Sequence, residues 1–125
     1  MQSKNVTEVA GTEFPAGRMT RVVVGPQTEI KAQHMVSGHV TIYPGGAVPL
    51  HHHANEEIYT VIEGHGRITV GAETREVGPV SMTYIPPNQP HALENTGDVN
   101  LVMLFVYSPA TIVDHWREEM AGTLK

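Results

Sequence analysis

Three consecutive histidines stand inside the chain, in the stretch PGGAVPLHHHANEEIYTVIEGHG at 44–66, with carboxylates close behind them. Neutral imidazoles and a carboxylate make a borderline donor set, the kind that holds a divalent transition metal. Along extended backbone successive side chains point to opposite faces, so His51 and His53 share a face and His52 points away. The compact HANE segment can turn the chain and bring a carboxylate of the next run against the two rings. Glu57 is the better placed because it opens the run EIYTVI, and Glu56 then faces the other way. His91 follows the proline-stiffened turn PPNQP, opens another run and supplies the missing side of a coordination sphere. The candidate metal ligands are therefore His51, His53, Glu57 and His91, around one Fe, Mn, Ni, Co or Zn ion.

The elements that must position these side chains are short and extended. Residues 19–25, 35–43, 57–64, 66–71, 81–86, 91–95 and 100–107 are rich in β-branched and aromatic side chains. Turn signals separate them: PGG at 44–46, EGHG at 63–66, GPV at 78–80, PPNQP at 86–90 and NTGD at 95–98. Regularly spaced short strands predict an all-β sandwich or barrel rather than βαβ units. A lead-in segment covers 1–17. A C-terminal helix is expected over 108–122, with Ser108 as N-cap, Pro109 at the first helical position and Gly122 at the end. Ile112, Val113, Trp116 and Met120 fall at helical spacing, which predicts that Trp116 packs the helix onto the barrel wall.

Composition bounds the remaining possibilities. The 125 residues make one domain, and 40% hydrophobic with 17% charged residues is ordinary for a globular chain. A net charge of −5 argues against a broad surface for nucleic acid or acidic lipid. The absence of cysteine removes disulfides, thiolate metal sites and a cysteine nucleophile. With no apolar segment of signal-peptide or membrane-spanning length, the expected location is the cytoplasm.

The spacing of the candidate ligands resembles the cupin superfamily of β-barrel proteins, whose first motif runs G-x5-H-x-H-x3/4-E-x6-G. Gly45, His51, His53, Glu57 and Gly64 match each fixed position. Of the second motif, G-x5-P-x-G-x2-H-x3-N, Pro86, His91 and Asn95 fit, while Val80 and Asn88 stand where glycines are expected. Asn tolerates the left-handed conformation, so the turn at 88 can survive. The chain resembles the small single-domain bacterial cupins more than the two-domain ones. That resemblance implies a double-stranded β-helix (jelly-roll) barrel, often a homodimer, with one metal held by these four residues.

Three functional readings follow. A facial nitrogen and oxygen donor set with open positions suits O2-dependent chemistry, a dioxygenase. A redox-neutral lyase, isomerase or decarboxylase would use the metal as a Lewis acid. A non-catalytic cupin would only bind a small ligand. The resemblance favours the oxygen-dependent enzyme on a small organic substrate, by the frequency of such enzymes in the family. If Glu57 faces the metal, so do Tyr59 and Val61, while Ile58, Thr60 and Ile62 face away. Tyr59 is then the candidate catalytic proton donor, with Tyr43, Tyr84 and Arg67 as further anchors. Leu93 points inward, and either the Leu101, Met103, Phe105 and Tyr107 row or its complement lines a small, mostly hydrophobic pocket. Ordinary surface or packing roles are expected for His34, His39, His65 and His115.

Overall fold

The computed structural model describes residues 1–124. A 3-10 turn (Val6–Glu8), eleven strands and one α-helix follow in chain order: β1 (Thr12–Phe14), β2 (Arg18–Gly25), β3 (Ile30–Lys31), β4 (Val36–Ile42), β5 (Ala47–His51), β6 (Glu56–Glu63), β7 (Gly66–Val70), β8 (Glu73–Val77), β9 (Ser81–Ile85), β10 (His91–Asn95), β11 (Leu101–Ser108) and α1 (His115–Ala121). Two sheets face one another in a jelly-roll barrel. One has the order β1-β2-β4-β11-β6-β9 with β3 beside β2, and the other the order β5-β10-β7-β8. All neighbours are antiparallel except β2 and β3. No helix among the described residues is long and apolar enough to cross a membrane.

Alternation sorts the side chains as expected. Glu57, Tyr59 and Val61 point into the barrel, and Leu93 on β10 meets them from the opposite sheet. On β11 the inward row is Leu101, Met103, Phe105 and Tyr107. Met103 and Phe105 of this row line a small, mostly apolar internal space beside Glu57 and Tyr59, but the packed side chains leave it only about 20 Å³, enough for one water molecule.

Four strands escaped the sequence reading. β1 lies in the lead-in, β3 is two residues long, β5 carries a proline, and β8 (ETREV) is polar up to Val77. β8 is an edge strand exposed on both faces from Glu73 to Glu76, so no apolar alternation marks it. Asn88 takes φ 65°, the left-handed conformation that the missing glycine would have supplied. Gly64 sits at φ 78°, where an added Cβ would meet the Asn100 carbonyl at 2.5 Å. Asn95, the last fixed residue of the second motif, is buried and donates from its amide to the carbonyls of Ile42 and Val99.

The helix begins seven residues later than Ser108, the expected N-cap. Ser108 ends β11 and donates its hydroxyl to the His34 carbonyl at 2.8 Å. The following 109–114 segment runs as an irregular strap, held by the Asn55 side-chain amide to the Pro109 carbonyl at 2.6 Å and to Thr111 Oγ1 at 2.8 Å. Asp114 is the N-cap residue, and Gly122 ends the helix with φ 74°, as the sequence suggested. Trp116 packs edge-on against Phe105 at 5.9 Å. Val113, just before the helix, is buried in the core, but Ile112 and Met120 were misread, being 91% and 54% exposed. The buried face of α1 is instead His115 and Glu119.

Glu119 explains that inversion. Its two carboxylate oxygens accept from Arg18 at 2.7 and 2.8 Å, and one also accepts the Ala16 amide at 3.1 Å. Arg18 is only 1% exposed, stacks over Phe14, and finds its countercharge on the helix. A bidentate pair orients both partners as well as neutralising them. Removing one partner would strand a buried charge. Glu119→Ala is expected to lower the unfolding free energy by about 3–5 kcal/mol in urea titrations, and Arg18→Met with Glu119→Leu to recover most of it.

Candidate metal centre

The four residues singled out by spacing come together at one end of the barrel. His51 closes β5, His91 opens β10 directly opposite it, and Glu57 reaches across from β6 of the other sheet. His53 lies just beyond β5 and turns back toward Glu57, while His52 is exposed. One ligand atom from each of His51, His53, Glu57 and His91 lies within 4.8 Å of the others, and all four side chains are almost wholly covered. Glu56 faces outward and accepts from Tyr84 at 2.8 Å, as alternation requires.

Each of the three rings is oriented by the backbone. Nδ1 of His51 lies 2.7 Å from the Pro49 carbonyl, Nδ1 of His53 3.0 Å from the Asn55 carbonyl, and Nδ1 of His91 2.8 Å from the Gln89 carbonyl. A carbonyl oxygen only accepts, so the proton of each neutral ring sits on Nδ1 and the Nε2 lone pair is free. Those lone pairs converge on the centre. Nε2 of His51 and of His91 are buried with no hydrogen-bond partner. Nε2 of His53 and His91 lie 3.0 and 3.3 Å from Glu57 Oε1. Acceptor facing acceptor at these distances is unfavourable unless a proton or a metal ion lies between them. The donor set therefore fits a divalent cation: three imidazole nitrogens, one carboxylate oxygen, and backbone partners that hold each ring.

The loop that carries His53 is fixed from both sides. Asn88 donates its backbone N–H to the His53 carbonyl at 2.8 Å, and the buried Asn55 anchors the strap. His115 stacks on His51, with ring centroids 3.8 Å apart and planes inclined by 19°. It is more than the ordinary packing residue expected from sequence. No motif surrounds it, and only the docking of α1 brings it to the cluster. Asn55 was likewise missed, because a turn asparagine carries no signal of what its side chain will hold.

Charge at the centre is tightly constrained. Burial, followed by the neighbouring His115 and His91, lowers the His51 pKa to about 2. Burial, followed by His53 and Arg18, lowers that of His115 to about 3. Burial pushes the Glu57 carboxyl up, but His53 and His91 reverse this and leave it below the usual range. Tyr59 is raised well above a free phenol by burial and then by Glu57, and Tyr107 to about 12 by the same causes. Both phenols stay protonated at neutral pH. Tyr59 stands inside the barrel near His91, at a ring distance of 5.8 Å. The further anchors lie elsewhere: Tyr43 donates to Glu13, Tyr84 to Glu56 and Arg67 to Glu76, all on the exterior.

A cupin-domain family model matches residues 38–107, which contain the whole cluster. The chain belongs to the cupin family. An uncharacterized protein of Methanocaldococcus jannaschii is 44% identical over 61 residues, 48% of this chain and 49% of that one. The mannose-1-phosphate guanylyltransferase RfbM of Salmonella typhimurium is 38% identical over 71 residues, 55% of this chain but 15% of that enzyme. The chain thus spans half or less of the length of these curated relatives. Among solved structures, a predicted oxalate decarboxylase from Thermotoga maritima superposes with a TM-score of 0.77 over 86% of this cupin and 99% of that chain, at 17% identity. At that identity the likeness concerns the fold.

The depressed imidazoles make stability depend on pH. His51 and His115 are neutral in the folded cupin and take up a proton on unfolding below about pH 6.5. Stability of the metal-free protein is therefore expected to fall with acidification from about pH 6.5 toward 4, approaching about 1.4 kcal/mol per pH unit for each ring. Urea titrations at pH 7 and pH 5 read the slope, and His115→Gln removes its share. A stability independent of pH in this range would contradict the buried neutral rings.

Proposed function

We propose that this cupin is a mononuclear metalloenzyme acting on a small organic substrate, with O2-dependent oxidation as the leading form of its chemistry. The observation that carries the reading is the convergence of three backbone-tethered imidazoles and one buried carboxylate, two of whose ring nitrogens have no other partner. His51, His53, Glu57 and His91 would hold one divalent ion. Bound there, it would supply Lewis acidity and, if redox-active, electron transfer to oxygen.

The chain's own residues have separable tasks in this reading. The three backbone carbonyls keep the rings as neutral Nε2 donors without further reorganisation. Asn55 and Asn88 hold the His53 loop in register with the strap. The filled barrel leaves room only for approach from the open end, through the cleft that His51, His53 and His115 wall. Tyr59 is assigned as a positioning and proton-holding group inside the barrel, where it lines the small internal space together with Glu57 and His115. The exposed row Val80, Met82 and Tyr84 at the free edge of β9 supports a homodimer as the working assembly.

Metal analysis of tag-free protein by inductively coupled plasma mass spectrometry is expected to give about one equivalent per chain for a site of this donor set. His53→Ala and His91→Ala should lose it, and His52→Ala should retain it. Equal loss in all three would contradict the side-chain alternation. Oxygen uptake by the iron-loaded cupin with diketones or catechols would support the oxidative form. Anaerobic turnover with zinc would replace it with a redox-neutral lyase or isomerase. Failure to bind any divalent metal at neutral pH would overturn the reading.

A further inference from the structure

The two sheets present unlike faces to the outside. On the smaller sheet, cross-strand register sets Glu94, Arg67 and Glu76 side by side across β10, β7 and β8, with Ala92, Thr69 and Thr74 in the next row. That is the polar outer face expected of an antiparallel sheet with one side in water. The larger sheet departs from it. One outer row runs Ser37, Val106, Ile58 and Tyr84 across β4, β11, β6 and β9, and the next runs His39, Leu104, Thr60 and Met82. Neither row contains a carboxylate, a lysine or an arginine. His39 adds no charge at neutral pH, because burial and then Arg21 lower its pKa. The carboxylates of β6 on this side, Glu56 and Glu63, stand only at its two ends.

β11 carries the sharpest departure. Its run LVMLFVY is apolar on both faces, the pattern of a strand covered on both sides, yet Leu104 stays exposed and Val106 half-exposed. The lead-in reaches the β2 flank of the same face, where Arg21 donates to the Val6 and Val9 carbonyls. Ile58 and Thr60 remain half-exposed, and Met82 and Tyr84 exposed.

Resting on the homodimer reading, we propose that two copies of this cupin pack sheet against sheet through this outer face, centred on β11 and β6. Strands β4, β11, β6 and β9, spaced about 4.8 Å apart with a rise of about 3.4 Å per residue, give a footprint of roughly 450 Å² per copy. The pair thus covers about 900 Å² before side-chain relief is added, close to the roughly 1,000 Å² that a specific interface needs. Charge selects a second copy as the occupant. Each chain has a net charge of −5, so two copies repel one another except through a surface free of carboxylates. Of the two outer sheet faces, only that of the larger sheet offers one. In aligned sheet packing, Leu104, Val106 and Ile58 of one copy interdigitate with the same rows of the other.

Sedimentation velocity on the full chain tests the face. The unsubstituted protein is expected to run as a dimer at micromolar concentration. Leu104→Lys should weaken the dimer about a hundredfold or more, because a two-fold contact buries the new charge twice. Thr69→Lys, an equal change of charge on the outer face of the smaller sheet, should leave it intact. A dimer that persists in folded Leu104→Lys would overturn this inference and leave the homodimer reading standing. A monomeric unsubstituted protein would overturn both.

Thiol reactivity gives a readout that needs no added charge. The chain has no cysteine, so Thr60→Cys and Thr69→Cys each supply a single thiol, one on each outer face. With excess maleimide, the thiol at position 60 is expected to react about tenfold more slowly in concentrated than in dilute protein, by mass action on the dimer. The thiol at position 69 should react at one rate throughout. Equal rates at position 60 would overturn the inference, even where Leu104→Lys does not fold.

Discussion

The site depends on one constraint: three backbone carbonyls fix which nitrogen of each imidazole carries the proton. Because Pro49, Asn55 and Gln89 can only accept, the rings of His51, His53 and His91 present bare Nε2 atoms to the same small volume as the Glu57 carboxylate. In a buried setting, four acceptor atoms within 4.8 Å of one another are stable only with positive charge among them. The surrounding architecture serves that arrangement. β5 and β10 pair so that His51 and His91 stand opposite each other, and the second sheet contributes Glu57 from across the barrel.

The other buried charges are kept apart from this centre. Arg18 would repel a cation bound nearby, yet Glu119 neutralises it with two short hydrogen bonds and at the same time docks α1. That docking sets His115 on His51 and closes one side of the mouth. The helix is short and has no side-chain cap, so its position rests on the ion pair and on Trp116 rather than on its own propensity. Stability and site access are therefore linked through the Arg18–Glu119 pair.

The part of this legible in the sequence was the part governed by strict periodicity and spacing. The expected split of His53 from His52 was met just past the end of β5, where His53 turns back toward Glu57, while alternation along β6 separated Glu57 from Glu56 and the same rule placed Tyr59, Val61 and Leu93 inside. The cupin motif supplied the fold because its glycines and histidines sit at fixed chain distances, and Asn88 performs the backbone task of the glycine it replaces. What stayed hidden involves side chains distant in sequence. Nothing near His115 announces that it will stack on His51, 64 positions away, and nothing in Arg18 announces Glu119, at a separation of 101. The helix was placed too early because Ser108 and Pro109 satisfy the local rules for a helix start. A tertiary contact, the Asn55 amide on the strap, overrides them.

The central claim is tested most directly by long-range 1H–15N spectra of the imidazoles above pH 7.5, recorded before and after one equivalent of Zn(II). The account predicts Nδ1-protonated neutral tautomers for His51, His53 and His91, with the Nε2 signals of these three rings, and not of His52, shifting together on zinc addition. Nε2-protonated tautomers, or zinc shifts confined to exposed rings such as His52, would contradict it.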